Sequence, residues 1–188
     1  DALPISSGRL LLGESINLPG IGTTVLVRLN LDGSVDTTFA AVTAIGSVGC
    51  LAVDDAGRIL IGESWYGSWS GPQHFARLLS DGTIDPTFAF TVPIPEWSGS
   101  FFSILPQGDK VVVGGYFSGS MAPSVSRGLF RVNSDGSLDT SFSGDMGQYQ
   151  GWGLAITALG DGRMAVRSYL NGVSGTNIHI LSADGVVD

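Results

Sequence analysis

The chain has 188 residues, 28 of them glycine, and a formal net charge of −8. The length suits one domain, and a hydrophobic share of 43 % is enough for a core and excludes intrinsic disorder. The acidic balance argues against nucleic-acid partners, and no apolar run approaches the ~18 residues that a membrane helix needs. Because the sequence opens at Asp1 without a methionine, we expect a part of a longer polypeptide.

One short phrase recurs four times along the chain and predicts a β-strand each time. It has a basic residue, three apolar residues and, in three of the four copies, a glycine. A glycine-containing turn precedes it, and an apolar run without alternation indicates a strand that is covered on both faces. The copies lie at residues 8–14, 57–63, 109–115 and 162–168.

A second phrase follows each strand phrase and predicts two turns. It reads Arg-x-x-x-Asp-Gly-x-x-Asp-x-Thr/Ser-Phe in most copies and occupies residues 28–39, 77–88, 131–142 and, cut short, 180–188. Asp-Gly predicts a type I′ hairpin, and Asp-x-Thr/Ser a further turn. We expect the phenylalanines to pack between units. The repeated structural residues are Asp32, Gly33, Phe39, Asp81, Gly82, Phe88, Asp135, Gly136, Phe142, Asp184 and Gly185.

The spacing of the phrases predicts an all-β β-propeller. The units are about 50 residues long, at approximately 1–39, 40–88, 89–142 and 143–188, and none contains a long 3.6-residue apolar period. Propeller blades have about this length, and each antiparallel meander of three or four strands would stack on its neighbours. The prediction is a single propeller domain over 1–188, either a four-bladed ring or an arc of a larger one.

The two phrases also resemble a known family. Residues 110–117 and 131–142 are similar to the delta-60 repeat, and the resemblance extends over four copies. It implies a β-propeller of the kind found in large bacterial secreted proteins and some phage structural proteins. The implied location is extracellular, on a cell surface or on a virion. The fourth unit departs from the pattern at Arg167 and Ile180, which is typical of a degenerate or closing blade.

The connections outside the two phrases vary and are the predicted binding surface. They lie near 16–25, 65–75, 117–127 and 170–177, and near 40–47, 89–100 and 143–153. Loops on a rigid scaffold concentrate binding residues, and aromatic side chains stack on sugars or anchor protein partners. For Trp152 a core position is the alternative. The candidate ligand-binding residues are Tyr66, Trp69, His74, Trp97, Tyr149 and Trp152.

Motifs for metal binding and catalysis are weak in this sequence. Asn30-x-Asp32-Gly33-Ser34-x-Asp36 resembles an oxygen-rich calcium loop, but it lacks the distal glutamate of an EF-hand, and turn structure is the alternative. His74 and His179 have no zinc-ligand spacing, and Gly-x-Ser-x-Gly is absent. We therefore expect no catalytic residues and no cofactor.

Three functional hypotheses remain open. The first is a non-catalytic binding or adhesion module whose variable loops meet a carbohydrate or a surface protein. The second is a structural domain that contacts neighbouring subunits of a larger particle, such as a phage tail or surface fibre. The third, an enzyme with a site at the central channel, would need a cluster of carboxylates or histidines there.

Overall fold

Twelve β-strands make up the regular structure of the computed structural model. It describes residues 2–5, 8–18, 22–40, 47–63, 75–91, 98–118, 128–144, 152–169 and 176–188, and contains no helix among them. The strands are β1 (Ala2–Pro4), β2 (Leu10–Leu18), β3 (Gly22–Leu29), β4 (Val48–Val53), β5 (Ile59–Glu63), β6 (Phe75–Leu78), β7 (Ser98–Gln107), β8 (Lys110–Ser118), β9 (Leu129–Val132), β10 (Trp152–Ala158), β11 (Met164–Tyr169) and β12 (Thr176–Leu181).

The strands form four antiparallel sheets of three strands each, in the orders β1-β2-β3, β4-β5-β6, β7-β8-β9 and β10-β11-β12. Each sheet lies within one predicted repeat. We call residues 1–40, 41–89, 90–143 and 144–188 units 1 to 4, so that the residue after each repeated phenylalanine is counted with the unit that it closes. After the third strand the chain returns through one isolated bridge, such as Leu29 with Val35 in unit 1. The all-β prediction is confirmed, and the fourth strand of each meander is reduced to this bridge.

The predicted type I′ hairpin at Asp-Gly is wrong. The Gly33 N–H donates to Asn30 O at 3.0 Å, and the Asn30 N–H donates to Ser34 O at 2.8 Å, so the loop is one residue longer. Among the described residues only glycines have positive φ, with +82° at Gly33. This is the three-residue loop in which a type I turn precedes a left-handed glycine. Asp32 does not adopt a positive φ, and its Oδ1 accepts a hydrogen bond from the Ser34 N–H at 2.9 Å, which stabilises this turn.

The core consists of apolar clusters that lie between consecutive sheets. The first joins units 1 and 2 around Leu11 and Ile61, both 0 % exposed. The second joins units 2 and 3 around Leu60 and Val113, and the third joins units 3 and 4 around Val112 and Val166. Successive residues of a strand point to opposite faces, so a continuous apolar triplet covers both sides of a sheet. Face-to-face stacking explains why the triplets do not alternate.

The cluster between units 2 and 3 is rich in phenylalanine. Phe101 is fully buried, and its ring centroid lies 5.6 Å from that of Phe75 and 5.5 Å from that of Phe117. Such tilted and offset arrangements suit the quadrupoles of aromatic rings. The repeated Phe39, Phe88 and Phe142 are buried as predicted.

Two predicted connections are shorter than expected. In place of the loop at 16–25, β2 continues to Leu18 and β3 begins at Gly22. The loop at 89–100 overlaps β7, which begins at Ser98. Threonine and aliphatic residues at 23–27 favour strand structure, and these residues extend the β2–β3 hairpin. None of the described segments forms a helix of the length and apolarity that crossing a bilayer requires.

Candidate functional site

The strand registers bring the two kinds of variable connection to one edge of the molecule. Val48 pairs with Glu63, Ser98 with Ser118, and Trp152 with Tyr169. In units 2 to 4 the start of the first strand therefore lies beside the end of the second strand of its sheet. The short turns lie at the opposite ends of the same strands. We call the first end the loop edge and the second the turn edge.

Of the six predicted ligand-binding residues, Trp152 is the one that lies within the described residues. Trp152 was predicted in a loop and instead is the first residue of β10, paired through the backbone with Tyr169. The loop prediction is therefore wrong for Trp152, because β10 already begins at this residue. The other five candidates lie outside the described residues; they are Tyr66, Trp69, His74, Trp97 and Tyr149.

At the turn edge, the repeated arginine, aspartate and phenylalanine come together in one group. In unit 2 the Arg77 Nε donates to Asp85 Oδ2 at 2.8 Å, and the guanidinium lies 4.6 Å from the centroid of the Phe88 ring. Both charged side chains are nearly inaccessible, 3 % and 4 % exposed. The same group occurs in units 1 and 3, as Arg28, Asp36 and Phe39 and as Arg131, Asp139 and Phe142.

The aspartate of each group also closes the last turn of its unit. Asp85 Oδ1 accepts from both the N–H and the Oγ of Thr87, at 2.9 and 2.6 Å. Burial alone would raise the pKa of Asp85, but the Thr87 hydrogen bonds and the Arg77 charge outweigh it and lower the pKa. In unit 1 the Thr38 hydroxyl is the largest of the causes that lower the pKa of Asp36 to about 2. These carboxylates are therefore held ionised by structural contacts.

Acidification should unfold the protein through these aspartates. A carboxylate with a lowered pKa stabilises the folded state above its ordinary pKa of about 3.9, and this contribution disappears as the pH falls through the folded-state value. For Asp36 that window runs from about pH 4 to about 2. We expect the urea midpoint to stay nearly constant from about pH 7 to 5 and then to fall steeply. A midpoint that is unchanged at about pH 2 would contradict this role of the aspartates.

Most of the carboxylate oxygens that could bind a calcium ion at Asp32 and Asp36 already have protein partners. Asp36 Oδ2 accepts from Arg28 and lies 3.3 Å from the Arg9 guanidinium, while its Oδ1 accepts from Thr38. Asp32 Oδ1 is bonded to the Ser34 N–H and hydroxyl. In the part of the chain that the structure describes, no three His, Cys, Asp or Glu side chains gather as metal ligands. Turn structure accounts for this motif.

Two other groups with reactive side chains are closed to substrates. Ser168 Oγ lies 3.0 Å from His179 Nε2, which is the contact of a Ser–His pair, but Ser168 is 0 % exposed. A nucleophile must reach a substrate atom, and a fully buried hydroxyl cannot. Cys50 is buried, and burial raises the pKa of its thiol to about 12, so the unreactive thiol form prevails.

The units are joined along the turn edge by a contact that the sequence analysis did not identify. The backbone N–H that follows each closing phenylalanine donates to the carbonyl of the turn aspartate in the next unit. These bonds run from Ala40 to Asp81, from Ala89 to Asp135 and from Ser143 to Asp184, at 2.8, 2.8 and 2.9 Å. The constant spacing of eight residues between Arg and Asp in units 1 to 3 was the available signal for the ion pairs.

The comparison with known families agrees with this architecture. Three segments match the model described as "Domain of unknown function (DUF5122) beta-propeller", namely residues 6–39, 57–88 and 107–142. Together they cover more than half of the chain, and each contains a strand phrase or its turn together with the Arg–Asp–Phe group. No curated protein matches the chain.

Proposed function

Because the chain belongs to the DUF5122 β-propeller family, we propose that it is a non-catalytic binding module whose loop edge contacts a carbohydrate or a surface protein. The observation that supports this proposal is the structural use of the turn edge. Its repeated arginines and aspartates are paired with each other and buried. The variable connections at the opposite edge are then the part of the scaffold where a ligand can be selected.

Aromatic residues are the basis for the proposed ligand class. Residues 64–74 and 92–97 contain Trp69 and Trp97, two of the four tryptophans of the chain. Tryptophan offers a large flat surface together with an N–H donor, which suits stacking on sugar rings and anchoring of protein partners. Described strands flank both segments: β5 ends at Glu63, and β7 begins at Ser98.

We further infer that the repeats are of the delta-60 type and that the protein acts outside the cell or on a virion. Support comes from the strand phrase at 110–117 and the turn phrase at 131–142. Both phrases have a structural role: the apolar triplet packs on both faces of its sheet, and the Arg–Asp–Phe group closes the unit.

A glycan array probed with the protein tests the proposed ligand class. We expect binding to at least one glycan, and Trp69→Ala and Trp97→Ala should each weaken it roughly five- to thirtyfold, since an aromatic anchor contributes on the order of 1–2 kcal/mol. Ile84→Ala is the matched control, because Ile84 is an apolar residue of the turn edge that is 52 % exposed. It should bind like the parent protein.

Two results would contradict the proposal. One is the absence of binding to every glycan and to extracts of cell-surface proteins. The other is an equal loss in all three variants while their thermal unfolding is unchanged, because the affinity would then not depend on the loop edge.

A structural role in a larger particle is the second candidate function. It is favoured by exposed apolar side chains at the two ends of the stack of sheets: Leu31 in unit 1 is 82 % exposed, and Ile178 in unit 4 is 73 % exposed. Burial of such side chains against a neighbouring subunit would stabilise an assembly.

A further inference from the structure

The joints between units have two complementary halves. The closing half comes from the earlier unit: its phenylalanine, the residue after it, and its arginine. The accepting half is the Asp-Gly turn of the next unit. At the joint of units 3 and 4, the Ser143 N–H donates to Asp184 O, and the Arg131 Nη1 donates to Ala183 O at 2.7 Å. Arg131 Nη2 also lies 3.0 Å from Asp184 Oδ1, which gives the joint a charge pair.

The turn glycine allows the closing half to approach closely. A Cβ on Gly185 would lie 2.6 Å from the Phe142 ring, and one on Gly136 would lie 2.5 Å from Ala89 O. A Cβ on Gly82 would lie 2.9 Å from the Phe39 ring. These separations are below the contact distance of carbon with carbon or oxygen, so each joint needs glycine at this position for space as well as for its positive φ.

Unit 1 carries an accepting half with no closing half against it in the described structure. Its internal hydrogen bonds have the same lengths as those of unit 3, 2.8 and 3.0 Å, so the turn is already formed. Nothing lies within 4 Å of a Cβ built on Gly33, and Leu31 is 82 % exposed. An open groove of about 500 Å³ adjoins the turn, lined by Arg9, Asn30, Leu31 and Asp32.

The sheet face beside this turn has the same apolar pattern as a face that packs on a neighbouring unit. In unit 2 the first and third residues of the apolar triplet, Ile59 and Ile61, pack on unit 1 and are 2 % and 0 % exposed. Their counterparts in unit 1, Leu10 and Leu12, are equally apolar but only half-buried. The apolar pattern is therefore kept on a face where the described residues do not bury it fully.

The outer face of unit 4 differs from the faces that form the joints. Ala165 and Arg167 replace the leucine and glycine that unit 2 has at Leu60 and Gly62, and Ile180 replaces the arginine of the closing half. Arg163 pairs instead with Asp188 at 2.6 Å in an exposed position. Unit 4 therefore lacks the guanidinium that reaches across the joint of units 1 and 2 and the joint of units 3 and 4.

We propose that the outer side of unit 1 is a docking surface for one further propeller unit, which presents an arginine and an Asp-x-Thr/Ser-Phe segment to the turn at residues 30–34. The partner's phenylalanine covers Gly33, the next N–H bonds to Asp32 O, and the arginine meets the Asp32 carboxylate. A second copy of this chain does not fit, because its units 1 to 3 already use their closing halves and its unit 4 has Ile180. This surface is separate from the loop edge, so it does not depend on the proposed ligand.

A fusion tests the proposal with the whole chain present. A copy of residues 89–151 is placed ahead of Asp1, which supplies the closing half of unit 3 and its natural connection. We expect a single urea transition with a higher midpoint than that of the parent chain. Amide hydrogen exchange at residues 29–34 should slow by roughly 100-fold or more, since a buried aromatic contact must open before exchange.

The matched control is the same fusion with Arg131→Ala and Phe142→Ala in the added copy only. It should return the urea midpoint and the exchange at 29–34 to the values of the parent chain. A fusion that unfolds in two transitions, with exchange at 29–34 unchanged, would overturn the proposal. Sedimentation of the parent chain gives an independent check: a monomer with fast exchange at 29–34 is expected, and a dimer that protects these residues would make a second copy the occupant and refute the proposal.

Discussion

The Asp85→Ala variant is expected to lose about 3–5 kcal/mol of unfolding free energy, because the substitution leaves a buried guanidinium without its carboxylate. Arg77 is 3 % exposed and donates to Asp85 Oδ2 at 2.8 Å. The Thr87 N–H and hydroxyl lose their acceptor in the same substitution. Urea denaturation followed by circular dichroism measures the loss.

The exposed pair of Asp161 and Arg163 is the control for this effect. Its N–O distance of 2.7 Å is as short, but the two side chains are 52 % and 45 % exposed. Asp161→Ala should therefore leave the urea midpoint close to that of the parent chain, because water replaces the lost partner. If both variants lost the same small amount, the Arg77–Asp85 pair would not hold the unit together.

The Phe101→Ala variant is expected to lose about 3–5 kcal/mol as well, because it opens a cavity in the aromatic cluster between units 2 and 3. Phe101 is 0 % exposed and contacts the rings of Phe75 and Phe117. It also lies against Gly62 of the preceding unit, where an added Cβ would be 2.5 Å from its own Cβ. The cavity would therefore lie at the joint of units 2 and 3.

Ile178→Ala provides the comparison, since Ile178 is an apolar strand residue that is 73 % exposed. Its replacement should change the free energy of unfolding by no more than about 0.5 kcal/mol. A loss under about 1 kcal/mol in Phe101→Ala would contradict a packed joint between units 2 and 3.

The sequence predicted the strands and their stacking because both depend on local patterns. An apolar triplet such as Val111-Val112-Val113 must be covered on two faces, and the structure buries all three residues. The repeat length of about 50 residues predicted a propeller. The family match agrees with that choice.

The turn type was predicted incorrectly because Asp-Gly supports more than one hairpin loop. The Asp32 side chain binds the Ser34 N–H and hydroxyl, which favours a type I turn with only Gly33 at positive φ. The ion pairs were missed for a different reason. The pairing of Arg28 with Asp36 depends on the bridge of Leu29 with Val35, which turns the chain back and brings the two side chains together.

Less of the candidate binding site could be predicted, because loops carry no repeated pattern against which to check an assignment. Trp152 illustrates the difficulty, since it lies at a strand start rather than in a loop. The register of the described strands nevertheless separates a constant edge from a variable one. That separation rests on pairing along the sheets and does not depend on any single loop residue.

The most direct test of the joint between repeats compares Gly136→Ala with Gly33→Ala. Both glycines have nearly the same φ, +88° and +82°, but only Gly136 faces a preceding unit, with Ala89 O 2.5 Å from an added Cβ. Both variants should lose about 1–2 kcal/mol for the left-handed backbone, and Gly136→Ala should lose roughly 2 kcal/mol more, because its Cβ forces the two units apart. Equal losses in the two variants would contradict the stacking of the repeats through their turns.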